Sequence, residues 1–252
     1  MQRGQRLNAI VAAVVENGSL NVSVLAERFL VSHATIRRDL ETLEAQRLLS
    51  RTHGGATTHV AFNDLPLKYK TSQNLAEKRR IAHSALTFVE GARVIGLTGG
   101  TTVTEFSRLL NVSEGLSIVT NALNIAAGLL ANPRVRVFAA GGEVRSSSQE
   151  AVGHSAEQFL STYNLDVAFL GVDGVDATAG CTNYDPQGAR VNAVLQARSR
   201  FSVVLADASK IGKVALAQVC PISSVDVLIT DTRAPEEQIR FFQEQGCRVL
   251  AV

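Results

Sequence analysis

Residues 32–56 run Ser32-His33-Ala34-Thr35-Ile36-Arg37-Arg38-Asp39-Leu40-Glu41-Thr42-Leu43-Glu44-Ala45-Gln46-Arg47-Leu48-Leu49-Ser50-Arg51-Thr52-His53-Gly54-Gly55-Ala56. Ser32 is a good N-cap, its hydroxyl able to accept from a free N–H of a first helical turn. Ile36, Leu40 and Leu43 follow at i, i+4 and i+7, one apolar face of a helix. That spacing leaves Ala34, Arg37, Arg38 and Glu41 facing elsewhere. Two adjacent arginines early in a short helix suit a DNA major groove, where guanidinium pairs with guanine O6 and N7 or with phosphate. The stretch closes on Arg51-Thr52-His53-Gly54-Gly55, a basic residue beside two glycines whose freedom suits a tight turn close to a phosphate. An arginine pair alone is usually a solvated helix face; the flanking segments favour the DNA reading.

Upstream, Leu7, Ile10, Val11, Val14 and Val15 form a helical stripe over about Arg3–Asn17, and Gly18 is a suitable stop. Asn21 can cap a second short helix carrying Leu25, Ala26 and Phe29. Only Leu30-Val31-Ser32 separates it from the next, which makes a helix-turn-helix. Leu48–Arg51 with Gly54-Gly55 reads as a hairpin, so residues 1–57 are expected to form a winged domain. Periodicity fades from Thr57 to about Leu75 around Asn63, Asp64 and Pro66, and residues 58–76 read as a linker. Residues 1–80 hold 12 Lys/Arg against 7 Asp/Glu, and residues 81–252 hold 13 against 16. A basic head on a mildly acidic body has the sign expected for nucleic-acid contact at one end.

Thr35-Ile36-Arg37-Arg38-Asp39-Leu40, Leu43-Glu44 and Arg51-Thr52-His53-Gly54-Gly55-Ala56 resemble, in order and spacing, the N-terminal signature of DeoR-type bacterial transcriptional regulators. The resemblance implies that the segment from about Ser32 to Arg38 (Ser32, His33, Ala34, Thr35, Arg37, Arg38) reads DNA. It also implies that the wing residues Arg51, His53, Gly54 and Gly55 touch the backbone.

Residues 77–252 read as a larger α/β domain. Glu77-Lys78-Arg79-Arg80 opens a helix with Ile81, Ala85, Leu86 and Val89. Arg93–Leu97 is a short buried strand, and Thr98-Gly99-Gly100-Thr101-Thr102 leads into a helix with Val103, Phe106, Leu109 and Leu110. Strand, glycine turn and helix start together offer free N–H groups and a favourable dipole to an anion, with Thr101 and Thr102 adding hydroxyls. No Gly-Lys-Ser/Thr or G-x-G-x-x-G accompanies the turn. Further strands at Leu116–Val119, Val135–Phe138, Val167–Val172, Phe201–Ala206, Val225–Thr230 and Arg248–Val252 alternate with helical segments, which predicts a largely parallel sheet. Small and polar residues recur at strand ends: Thr120-Asn121, Ala140-Gly141-Gly142, Asp173-Gly174 and Asp207–Lys210. Ligands of open α/β sheets bind beyond the carboxyl ends of the strands.

This body resembles the sensor domain of the same family, similar in fold to ribose-5-phosphate isomerase. The blocks that carry the likeness are Gly99–Thr102, Thr120-Asn121, Gly141-Gly142-Glu143-Val144-Arg145, Gly171–Asp176 and Asp207-Ala208-Ser209-Lys210-Ile211-Gly212. The resemblance implies a phosphorylated-sugar effector, with Gly99, Gly100, Thr101, Thr102 and Lys210 near its phosphate. Asn121, Gly141, Gly142, Arg145, Asp173 and Gly174 complete the expected effector set. One segment departs: many family members carry a Glu-Ala-x-x-x-Lys-like pattern where this chain has Gly188-Ala189-Arg190-Val191-Asn192.

Hydrophobic content of 46% and charged content of 19% describe a compact globular chain. No apolar run approaches a membrane span, and no apolar segment follows the N-terminal basic residues, so a cytoplasmic protein without a secretion signal is expected. Cys181, Cys220 and Cys247 form no metal-ligand spacing with the five histidines and read as small buried residues. No cofactor or metal is expected. The alternative, an aldose–ketose phosphosugar isomerase or deaminase-like enzyme with a fused DNA-binding domain, would need a base and a cation near its substrate. Residues 177–206 contain no Lys, no Glu and only Asp185 as an acid. A protein-interaction module would bind DNA without responding to a ligand. The favoured reading is a repressor of a carbohydrate operon, binding operator DNA as an even-numbered homo-oligomer and released by a phosphosugar.

Overall fold

The computed structural model describes residues 1–46, 48–57, 67–110 and 115–252 and divides into two units, Met1–Gln73 and Asn74–Val252. Much of the segment read as a linker, residues 58–66, lies outside the described residues. Of the rest, Leu67–Lys70 is helical and Leu75 opens a longer helix, two residues ahead of the expected start at Glu77.

The first unit contains α1 (Arg3–Asn17), β1 (Ser19–Asn21), α2 (Val22–Phe29), α3 (His33–Ala45), β2 (Ser50–Arg51), β3 (Gly55–Thr57) and α4 (Leu67–Lys70). Its core is the stripe read from the sequence: Ile10, Val11 and Val14 meet Leu25, Ile36, Leu40 and Leu43, all at most 1% exposed. Tyr69 of α4 joins that core. Between α2 and α3, Leu30 caps α2 in the left-handed region at φ 53° with its side chain 91% exposed. The expected hairpin is present as β2–β3, but β1 pairs with β3 as well, so the wing is a three-stranded antiparallel sheet.

The second unit contains α5 (Leu75–Ala85), β4 (Val94–Leu97), α6 (Thr101–Leu109), β5 (Leu116–Thr120), α7 (Leu123–Leu129), β6 (Val135–Ala139), β7 (Glu143–Arg145), β8 (Glu150–Val152), α8 (His154–Ser161) and β9 (Leu165–Leu170). It continues with β10 (Gly174–Asp176), β11 (Gly180–Asn183), α9 (Pro186–Ala197), β12 (Ser199–Leu205), β13 (Ala217–Cys220), β14 (Val227–Thr230), α10 (Glu236–Glu244) and β15 (Arg248–Ala251). Seven described strands form a wholly parallel sheet in the order β15-β14-β12-β9-β4-β5-β6. Alternate strand residues serve opposite faces, as pleating requires. Val167 and Phe169 pack with Ile81, Phe106 and Ile125 of α5–α7, whereas Ala168 and Leu170 pack with Leu160, Leu195 and Phe242 of α8–α10. Two small antiparallel sheets, β7-β8 and β10-β11-β13, flank the main one. The three cysteines are buried free thiols.

Candidate nucleic-acid interface and effector site

Packing α3 on its apolar stripe leaves the opposite side outward. Ser32, His33, Ala34, Arg37 and Arg38 are exposed and Thr35 is half-buried. The Ser32 hydroxyl accepts from the Thr35 N–H at 3.2 Å and lies 3.0 Å from the Thr35 hydroxyl, so these two short side chains fix the first turn. Asp39, next to the arginines, does the reverse of reading DNA. It is 1% exposed and receives Arg6 Nε at 2.6 Å, with Arg3 Nε at 3.5 Å, tying α1 to α3.

The wing is fastened to the same helix. Arg51 places a guanidinium nitrogen 3.2 Å from Glu41 and 3.9 Å from Glu44, and its N–H donates to the Glu44 carboxylate at 3.1 Å. Such exposed pairs contribute about 1 kcal/mol or less. His53 and Gly54 are exposed, and the Gly54 carbonyl accepts the Val22 N–H at 2.8 Å, anchoring the start of α2. Gly55 corrects the flexibility argument: it is buried, and neither Gly54 nor Gly55 has positive φ. A Cβ at Gly55 would stand 2.1 Å from the Leu20 carbonyl oxygen, so close approach of β1 to β3 demands glycine there.

In the second unit the β4–α6 turn has the expected form. Gly100 caps α6 at φ 110°, and Gly99 and Gly171 meet backbone to backbone. The Thr98 hydroxyl accepts the Gly171 N–H at 2.8 Å, locking the ends of β4 and β9 together. One amide assigned to an anion is already used. Gly99 N–H donates at 3.1 Å to Glu150 Oε1, and a Cβ at Gly99 would lie 2.4 Å from that carboxyl. Burial raises the Glu150 carboxyl above the usual carboxylate range. The bond from the Gly99 N–H opposes the rise, and the nearby charge of Asp173 adds to it.

Asp173 accepts the Tyr184 N–H at 3.2 Å and faces Lys210 Nζ at 3.9 Å. The Lys210 loop is held by Asp207, which accepts from Asn74 and from the Ser209 N–H, both at 3.0 Å. Asp231 adds a bond from the Ala208 N–H at 2.7 Å. Asn121 is 1% exposed, and its amide donates to the Ala151 carbonyl at 3.2 Å. Gly99 thus meets Glu150 directly, Asn121 bonds the carbonyl of the next residue, and Asp173, which faces Lys210, adds its charge. Arg145 stands opposite Glu150 in the β7–β8 register. Thr101 is half-buried and Thr102 buried in the first turn of α6. Gly174 is buried against the Lys213 carbonyl, where a Cβ would be 2.3 Å away, so it serves packing. Gly141 and Gly142 are exposed between β6 and β7. Asn192, on α9, donates to the Gly171 carbonyl at 2.9 Å, and the Gly188 N–H donates to the Asp185 cap at 2.7 Å. Glu150 and Asn192 are the members that sequence reasoning left out of the site. No local pattern marks Glu150, since its partner is 51 residues away.

Two family models match the chain: a DeoR-like helix-turn-helix domain over residues 6–60 and a DeoR C terminal sensor domain over residues 73–232. The chain is 33% identical over 235 residues to the glycerol-3-phosphate regulon repressor of Escherichia coli K12, covering 93% of each. It is 32% identical over 251 residues to the HTH-type transcriptional regulator GlpR of Haloferax volcanii, covering 99% of this chain and 98% of that one. Among solved structures, ribose 5-phosphate isomerase A of Methanocaldococcus jannaschii matches with 20% identity and a TM-score of 0.41 over 55% of each chain. No described helix is long and apolar enough to cross a membrane.

Proposed function

Because this chain belongs to the DeoR family of transcriptional regulators, we propose that it is a sequence-specific, cytoplasmic repressor of a carbohydrate-catabolism operon, relieved by a phosphorylated sugar. In this reading residues 1–57 bind DNA, 58–76 link, and 77–252 sense. The observation that carries it is the division of α3. Its Ile36–Leu40–Leu43 side is fully committed to the core, while Arg37 and Arg38 stand exposed beyond a capped first turn. That is the presentation a recognition helix needs in a major groove. Arg51, His53 and Gly54 of the wing reach phosphate.

Operator half-sites related by two-fold symmetry call for an even-numbered homo-oligomer. Lys210 supplies positive charge beside the strand ends where the effector sits, and the Gly100–Thr102 turn supplies N–H groups for its phosphate. The E. coli relative is named for the regulon of a phosphorylated polyol, which is the effector chemistry proposed here.

The experiment is fluorescence anisotropy on DNA from upstream of this gene and its neighbours, with and without phosphorylated carbohydrates. Nanomolar, salt-sensitive binding that one such ligand weakens is the expected result. By linkage, that DNA must weaken ligand binding by the same factor. DNA binding indifferent to every phosphosugar would defeat the effector half of the reading, and absence of specific binding would defeat all of it.

A further inference from the structure

The donor–acceptor balance at the end of β4 does not suit a phosphate alone. Gly99 offers its N–H, and Glu150 takes it at 3.1 Å. A second carboxylate, Asp173, adds its charge to Glu150 and faces Lys210 Nζ at 3.9 Å. Two buried amides flank the same turn. Asn121 donates to the carbonyl of Ala151, the residue after Glu150, and Asn192 donates to the carbonyl of Gly171, whose backbone packs against Gly99 and Gly100. Both side chains are 1% exposed, and among the described residues neither Oδ1 has a hydrogen-bond partner. A buried acceptor without a donor costs free energy, and a ligand that brings donors to this turn would satisfy it. Phosphate dianion brings acceptors only. Hydroxyl groups bring donors.

We infer that Glu150, Asn121 and Asn192 form an acceptor subsite that takes the hydroxyl-bearing end of the effector and turns its phosphate away from the Gly99 N–H. The inference rests on reading residues 77–252 as an effector-binding unit. Glu150 is then the specificity-determining residue. It fills an amide that a bare anion could otherwise use, and it rewards a ligand whose hydroxyls lie next to its phosphate. The first N–H groups of α6, which have no acceptor within the helix, remain for the phosphate. Discrimination of this kind is strong, because a ligand lacking the hydroxyls leaves buried acceptors unmet.

The test is titration calorimetry on the full chain with inorganic phosphate, glycerol 3-phosphate, ribose 5-phosphate, glucose 6-phosphate and glucosamine 6-phosphate. At least one sugar or polyol phosphate is expected to bind the unaltered protein tenfold or more tighter than inorganic phosphate. Glu150→Gln should compress that ratio at least tenfold, partly by raising affinity for inorganic phosphate threefold or more. Glu150→Ala, which keeps the backbone pairing of residue 150, should do the same if the glutamine variant folds poorly. An unaltered protein that binds every probe no better than inorganic phosphate overturns the subsite, as does an unchanged ratio in a folded variant. The two readings fail separately. Ligand binding that leaves operator affinity untouched counts against the repressor mechanism, whereas operator release with an unchanged ratio in the variants counts against the subsite.

Discussion

Asp39 lies directly after the two outward arginines of α3, yet its carboxylate is turned into the first unit, where Arg6 Nε meets it at 2.6 Å. Asp39 is 1% exposed and the Arg6 side chain 11%, so the pair is shielded from solvent. Removing one partner strands a buried charge, at a cost of about 3–5 kcal/mol. Asp39→Ala should therefore lower the melting temperature of residues 1–73 sharply and abolish operator binding through loss of fold. The double change Arg6→Met with Asp39→Leu should cost much less. Circular dichroism on the four combinations reads the difference, and equal losses would mean that the pair does not hold α1 to α3.

Arg37 and Arg38 carry no such structural duty. Replacing both by Ala should weaken operator binding by about 2–6 kcal/mol. The melting temperature should stay within a degree or two, because neither residue belongs to the buried stripe. Operator affinity unaltered in a gel-shift assay removes α3 from the groove.

Arg51 divides its charge between α3 and the proposed DNA. Glu41→Gln with Glu44→Gln releases its guanidinium from both carboxylates. Affinity should then rise about equally on operator and random DNA. Adding Arg51→Ala should cancel the gain and reduce the salt slope by about one unit. A change confined to one base pair would make Arg51 a reader of sequence.

Leu30 is a stability prediction free of function. Its left-handed backbone costs a non-glycine residue about 1–2 kcal/mol, and at 91% exposure its side chain buries almost nothing. Leu30→Gly should stabilise the first unit by about 1 kcal/mol in urea unfolding. Destabilisation would mean that the side chain has a packing role.

Glu150 gives stability a pH dependence. Its folded-state pKa is raised, so the folded protein binds the proton more tightly than the unfolded chain does. Stability is then highest below the unfolded value of about 4.3 and falls as pH rises through the higher folded value. Glu150→Gln keeps an acceptor for the Gly99 N–H and removes the charge. The variant should melt higher than the parent at pH 7–8, with the gap closing below about pH 4. A gap that widens in acid reverses the sign and refutes the assignment.

The elements legible in the sequence are those whose signal is local. The Arg3–Asn17 helix follows from one apolar stripe and a glycine stop, and the parallel strands follow from short β-branched runs between helical segments. The pairs β7-β8 and β10-β11 are three or four residues long and mix Gly, Glu, Arg and Thr, so only tertiary packing pairs them. The same limit applied to chemistry. The Gly99–Thr102 turn announces an anion site, but the carboxylate on its first amide arrives from another hairpin. Gly55 looked like turn chemistry and is a contact with Leu20, a neighbour unseen until β1 pairs with β3.

Strand order also bears on the order of events during synthesis. Thr98, at the end of β4, must wait 73 residues for Gly171, and β12 must follow before β9 gains its second neighbour. Domains tend to fold as units as the chain emerges, N-terminal ones first. The unit ending at Gln73 owns a core whose described members run from Leu7 to Tyr69. On the function proposed here, translation delivers a competent DNA reader well before the part that can release it. A message broken between those two points would leave a fragment that holds the operator and answers to no sugar.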